Sequence, residues 1–170
     1  MSINYYVVGS THYYPDGHGE DMFGYMVLQN VVSLAWAGDV NLNTLLGRPK
    51  EEIIDYLKNR GKSIKSQYSV KLFLNLQPDD IITVKKWNMK DGKGRIIVRA
   101  YARVVKRQGI IYSFDSIKGR HRINVEYLKK YEKDESISFL FNYAQAIHHV
   151  TEQERIREIF GPVSRQVGLR

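Results

Sequence analysis

Between Ile81 and Tyr127 the chain carries four apolar, β-branched runs in succession with no helical period between them: Ile81–Trp87, Ile96–Val105, Ile110–Phe114 and Arg122–Tyr127. Strands joined by short turns pair antiparallel, whereas a parallel pair needs a crossover of a dozen or more residues. The NMKDGKGR segment, Asn88–Arg95, reads as a hairpin tip, and Gly109 as another turn. A doubly wound parallel sheet does not fit this order. In the longest run Val98, Ala100 and Ala102 alternate with Arg99, Tyr101 and Arg103, the period of a strand with two unlike faces.

The flanking segments supply further elements. Ile3–Val8 is a short strand that stops at Gly9-Ser10-Thr11, and THYYPDGHGEDM after it reads as a loop. Phe23–Gln29 fits either helix or extended chain; Val31–Trp36 is a strand ended by Gly38. Pro49, followed by Glu51 and Glu52, opens a helix whose apolar stripe is Ile53, Ile54 and Leu57 and which Gly61 closes. A second helix starts at Ser63 or Ser66, with Tyr68, Leu72 and Leu76 on one face, and Gln77-Pro78-Asp79-Asp80 ends it. Ile137–His149 is apolar enough for a packed helix, and Thr151–Glu154 forms a capping box for a last helix stopped by Gly161-Pro162. The expected fold is α+β: a small curved barrel of mixed or antiparallel strands with flanking helices. One domain spans 1–170, its core at about 3–130 and a helical tail at about 136–161.

With 170 residues, 43% of them hydrophobic, the chain has material for one core. It contains no cysteine, which excludes disulfides, thiolate zinc sites, iron–sulfur clusters and a cysteine nucleophile. No leader is apparent and no apolar stretch approaches the roughly 20 residues a membrane span needs, so a cytoplasmic protein with no membrane partner is expected. Lysine and arginine number 26 against 18 acids, a net charge of +8. That balance suits a polyanionic partner, or simply a solvated lysine-rich surface. Lys85, Lys86, Lys90, Lys93 and Arg95 surround one turn of the strand-rich half, and Lys106, Arg107, Lys118, Arg120 and Arg122 line its neighbours. Two such groups would meet a nucleic-acid backbone.

Catalytic motifs are sparse. No phosphate loop, nucleophile elbow or zinc-binding helix occurs in the sequence. Asp79 and Asp80 ahead of a strand reaching Lys85 and Lys86 resemble part of a magnesium nuclease set, but Thr83 stands where the second acid belongs. His12 and His18 share a loop with Asp16, Glu20 and Asp21, an ion site or a solvated loop; adjacent His148 and His149 diverge by about 100° on a helix. No catalytic set, metal or cofactor is expected. In VVSLAWAGDVNLNTLL, Trp36 is either a core plug or the wall of a pocket at a strand's end.

Several segments taken in order resemble the PUA-like group that includes the EVE and YTH domains: the first strand ending in Gly-Ser, NVVSLAWAGDVNL, RPKEEIIDYL, LNLQPDDIITV, IIVRAYARVV and GRHRINVEY. The likeness spans about residues 3–130 and is nearest to the amino-terminal specificity domain of McrB-type modification-dependent restriction systems. It implies a non-catalytic DNA-binding module that flips a modified, methylated base into an aromatic pocket, with the rest of a restriction complex as partner. Trp36 would be a cage wall, Gly9, Ser10 and Thr11 would read the base edge through their backbone, and Asp39 would follow at the family's Gly-Asp. Trp87, Tyr112 and Phe114 would complete the cage. Tyr127 stands where the family commonly has tryptophan. The alternatives are an RNA-binding PUA-like domain and a small nuclease. Extruding a base costs a few kcal/mol, and a stacking wall returns about 1–3 kcal/mol.

Overall fold

The computed structural model describes residues 3–14, 16–132 and 137–168, the Lys90 side chain apart. Ten strands and five α-helices form an α+β fold. In chain order these are β1 (Tyr5–Gly9), β2 (Thr11–Tyr13), β3 (Gly19–Asp21), α1 (Phe23–Gln29), β4 (Val31–Leu34), α2 (Lys50–Lys58) and α3 (Ile64–Leu74). There follow β5 (Ile81–Lys90), β6 (Lys93–Val104), β7 (Tyr112–Asp115), β8 (Arg120–Lys130), β9 (Ile137–Phe139), β10 (Ile147–Val150), α4 (Gln153–Phe160) and α5 (Ser164–Val167).

The main sheet runs β10-β1-β5-β6-β8-β4, with β7 on β8 and β9 on β6. Only β1 and β5 are parallel; every other pair is antiparallel. Asp91 and Gly92 both take positive φ at the β5–β6 tip, as a two-residue hairpin turn requires. Two register shifts curve the sheet: Arg99 is the extra residue of β6 against β5, and Leu128 that of β8 against β6. Strong curvature produces a half-barrel, whose path ends at β10 on one side and β4 on the other.

The curved sheet has a core on each face. Tyr6, Val8, Val32, Ile82, Val84, Ala100 and Ala102 pack against α1, α2 and α3 on one side. Tyr5, Val7, Ile81, Val98 and Tyr101 pack against α4 and α5 on the other. Alternation along β1 thus carries apolar side chains to both faces. Tyr101 is fully buried and its hydroxyl donates to the Ile159 carbonyl at 2.6 Å; Arg103 shares its face and donates to the Gln166 carbonyl, whereas Arg99, expected on that face too, turns to Asp21 and Phe23. The bulge at Arg99 inverts the faces there: Val98 belongs to the α4 side and Ala100 to the other.

Three further expectations are corrected. The stretch read as a loop after Ser10 is the β2–β3 hairpin, with Thr11 opposite Asp21 and His12 opposite Glu20; Pro15 lies outside the described residues. Phe23–Gln29, left undecided, is helix. Ile137–His149 is not a helix: its ends are β9, paired with Ile96–Val98, and β10, paired with Tyr5–Val8. Its alternating bulky residues find free sheet edges, and edge pairing overrides a weak local preference. The tail therefore supplies strands to the sheet and the layer over one face. Glu152 caps α4 without a side-chain bond, so the expected capping box is not formed.

Candidate functional site

The gap in the half-barrel holds a cavity of about 550 Å³. Its walls come from six places. Gly9 ends β1 and Lys85 and Trp87 lie on β5; β2 contributes Thr11, His12 and Tyr13. Ser33 and Leu34 of β4 continue into Ala35 and Trp36, α3 turns Lys65, Tyr68 and Ser69 toward it, and residues 144–146 precede β10. The volume falls within the usual range for small-ligand sites, about 300–1,000 Å³.

Local chemistry explains each wall. β4 ends at Leu34, short of the expected Trp36, and in the turn that follows a Cβ at Gly38 would stand 2.1 Å from the Gly119 carbonyl oxygen: two backbone segments touch where only glycine fits. That contact and the turn it forces bring Trp36 to the surface of the gap, 39% exposed. Ser63 caps α3, its hydroxyl accepting from the Ser66 amide at 3.2 Å, and the helix then presents Tyr68 to the cavity while Leu72 stays in the core. The β2–β3 hairpin is pinned from outside by Arg120 on Glu20 and by the Arg99–Asp21 ion pair.

Around the cavity lie buried polar atoms with no partner in the protein among the described residues. His12 is 5% exposed; its Nε2 lies 3.2 Å from the Ser33 carbonyl, where only a protonated nitrogen is favourable, which leaves Nδ1 as a lone-pair acceptor. Among the described residues Nδ1 has no hydrogen-bond partner, and neither do Trp87 Nε1 and Ser10 Oγ. Burial pulls the His12 imidazole down to about 4, keeping it neutral near pH 7. Lys85 is 3% exposed, donates to the Gln145 carbonyl at 3.1 Å, and is pulled down to about 8 by burial.

The residues assigned from sequence separate into groups. Trp36, Thr11 and Trp87 meet at the cavity, and Ser10 is buried beside them. Backbone reading by Gly9 and Ser10 is corrected: their amides already donate to the Ala146 and Lys85 carbonyls, and the Ser10 carbonyl accepts from Met22. Asp39 does not line the cavity; its carboxylate takes Lys62 Nζ at 2.6 Å. Tyr112 and Phe114 stand one layer back. The Tyr112 hydroxyl is 2.7 Å from His121 Nδ1, Phe114 stacks on the same ring, and His121 Nε2 donates to the Ala37 carbonyl at 3.1 Å. They hold the turn that carries Trp36.

The cations separate in the same way. Lys85 is enclosed in the cavity rather than laid on the surface, and Arg120, 5% exposed, serves the hairpin. Arg122 bonds Ser113 and pairs with Asp115, and Arg107 donates to the Gln29 and Val125 carbonyls. Lys86, Lys93, Lys106 and Lys118 face solvent, Arg95 is partly buried, and Lys90 lies outside the described side chains. Lys106 follows Val104 at the end of β6 that pairs near Ile81, away from Trp87 and the hairpin tip. Of the two groups of cations expected, only part therefore faces solvent.

Asp80, considered as an acid catalyst, is 2% exposed and accepts from the Asn4 amide, Asn4 Nδ2 and the Gln77 amide. Its oxygens close the turn into β5. Among the described residues no group of three or more His, Asp or Glu side chains could hold a metal ion, and His12 and His18 are apart: the latter bonds exposed Asp16. No described helix is long and apolar enough to cross a membrane.

Sequence reasoning missed His12, Lys85 and Tyr68 as wall residues. A lysine two residues before a tryptophan in an otherwise apolar strand was the available signal for Lys85. His12 and Tyr68 had none, since each reaches the gap through the position of its element. In comparison with known proteins, no family model, curated protein or solved structure matches the chain.

Proposed function

We propose that the protein is a nucleic-acid-binding module that accepts an extruded, modified base in the cavity between β1, β2, β4 and α3. The observation that carries this reading is the joint presence of Trp36 and Trp87 in one cavity with unpaired polar atoms at Trp87 Nε1 and His12 Nδ1. A flipped base needs a ring surface to replace its lost stacking and edge partners to replace its lost pairing. Indole walls supply the first, at about 1–3 kcal/mol per stacked base. One donor and one acceptor that are buried without partners supply the second.

Affinity in this reading comes from phosphate contacts and selectivity from the pocket. Lys65 at the cavity, with solvent-facing Lys86, Lys93 and Lys118, are the cations available for the backbone. Double-stranded DNA with a modified base, within a larger restriction complex, is the partner the resemblance implies. The described residues supply no assembled catalytic or metal set for a nuclease reading to rest on.

The test is fluorescence-polarisation binding of DNA duplexes with cytosine, methylcytosine, methyladenine or carboxylcytosine, and of matched RNA, to the intact chain and to Trp36→Ala. Marked-over-plain selectivity that Trp36→Ala reduces by one to two orders of magnitude, about the value of one stacking partner, is the expected result. Equal affinity for every duplex, or unchanged selectivity in Trp36→Ala, overturns it. Preference for unmodified RNA would replace DNA with RNA as the partner.

A further inference from the structure

Lys85 is the enclosed cation of this cavity, and its surroundings leave it incomplete. Its ammonium has three donors and makes one hydrogen bond, to the Gln145 carbonyl. No carboxylate lines the cavity among the described residues, and Lys85 forms no ion pair there. A buried charge lacking a counter-ion is costly, and natural proteins pair such charges with an opposite one.

The ammonium lies where the cavity meets the end of β1. Gly9 stands beside it: a Cβ at that position would lie 3.6 Å from Lys85 Nζ and 3.5 Å from the Ala146 carbonyl oxygen. Those are ordinary contacts, so alanine fits the fold, yet its methyl would occupy the space directly over the charge. Glycine keeps that space clear. The same cavity is lined by Trp36, Trp87 and His12, whose buried Nδ1 has no partner among the described residues.

We infer that the ligand of this cavity is a planar aromatic ring bearing an anionic oxygen group, with the ring against the tryptophan walls and the anion on Lys85. The inference deepens the reading of the cavity as a base pocket and rests on it for the ring. It names the mark as acidic rather than a bare methyl, for a methyl group gains nothing from an ammonium. Two sources carry this chemistry: a base with a carboxylate substituent within DNA, and a free nucleotide with its phosphate. The Lys85 ammonium recognises both by charge-assisted hydrogen bonds, the stronger kind.

Competition binding on the intact chain distinguishes them. The probes are duplexes containing carboxylcytosine, its neutral carboxamide counterpart or methylcytosine, together with free cytidine and cytidine 5′-monophosphate. Each is measured on the wild type, Lys85→Met and Gly9→Ala, with folding checked by circular dichroism. The acidic duplex should bind about tenfold or more tighter than the neutral ones, as one hydrogen bond to a charged group allows. Lys85→Met should erase that gap and Gly9→Ala should narrow it.

Carboxylate and carboxamide bound equally by the wild type, with the monophosphate no better than cytidine, overturns the inference; that comparison uses only the wild type and holds even where a variant fails to fold. A preference for acid that survives in folded Lys85→Met overturns it as well. Selectivity for methylcytosine that depends on Trp36 but not on Lys85 would leave the base-pocket reading standing and this inference wrong. Lys85-dependent binding of the monophosphate with no binding of any duplex would do the reverse.

Discussion

Two buried histidines stand on opposite sides of the Trp36 turn, and their surroundings differ in one respect. His121 is fully buried and fully paired: Nε2 donates to the Ala37 carbonyl, and Nδ1 accepts from the Tyr112 hydroxyl, which itself accepts from the Leu42 amide at 3.3 Å. The chain of donors has one consistent direction, and it fixes a neutral imidazole. His12 is nearly as buried and also donates from Nε2 to a carbonyl, but its Nδ1 faces no partner among the described residues. Complete pairing marks a brace, since each group lost there leaves another unsatisfied. An unpaired buried atom beside a cavity is an uncompensated cost, and the proposed base pocket would offset it by supplying the missing partner.

The largest effect is expected in the turn that carries Trp36. Gly38→Val should cost about 3 kcal/mol or more of unfolding free energy, because backbone must move to clear the Gly119 carbonyl; urea unfolding followed by circular dichroism reads it. Acid should act next. Burial shifts His12, His121, His148 and His149 downward, so the unfolded chain takes up protons first as pH falls below the ordinary histidine value near 6.5. The stability these groups contribute is complete above about pH 6.5 and is lost as pH falls toward their folded values. For His12, at about 4, the loss between pH 7.5 and 4.5 is about 2–3 kcal/mol, measured as a shift in urea midpoint. An unchanged midpoint would mean the histidines are not held neutral.

Tyr112→Phe tests the brace alone. It removes one hydroxyl and leaves His121 Nδ1 and the Leu42 amide unpaired, at a cost of about 1–3 kcal/mol in the same assay. Trp36→Ala is the smallest effect expected on stability, under about 1 kcal/mol, since the side chain is partly in solvent and lies over a cavity rather than in the core. Stability loss in Trp36→Ala as large as in Tyr112→Phe would erase the distinction between brace and wall and make Trp36 a core plug.

Much of the scaffold was legible in the order of residues. The apolar runs of β1, β4, β5, β6 and β8 were visible as runs because strands covered on both faces need apolar side chains at nearly every position. Proline, serine and glycine marked the bounds of α2 and α3. The β9 and β10 segment was not legible: its apolar residues fit a helix as well as two edge strands, and only the free edges of β6 and β1 select the strands. Trp36 and Trp87 were noticed because each closes an apolar run in the sequence, although Trp36 lies two residues beyond β4 and β5 continues past Trp87 to Lys90. Tyr112 and Phe114 were misplaced by one layer, since residues two apart on β7 pack under His121 instead of reaching the gap.

The sequence by itself determined most of the elements outside β2, β3, β9 and β10, the absence of cysteine chemistry and the excess of positive charge, because periodicity, turn residues and composition act locally or add up along the chain. Tertiary structure alone decided what the cavity contains. His12 and Ser33 lie 21 residues apart, and Lys85 and Gln145 lie 60 apart; each pair meets only because two bulges curve the sheet and β10 returns to β1. The pairing state of a buried polar atom depends on every group that surrounds it in space, so no local reading of His12 or Lys85 could have told a solvated side chain from an unpaired one.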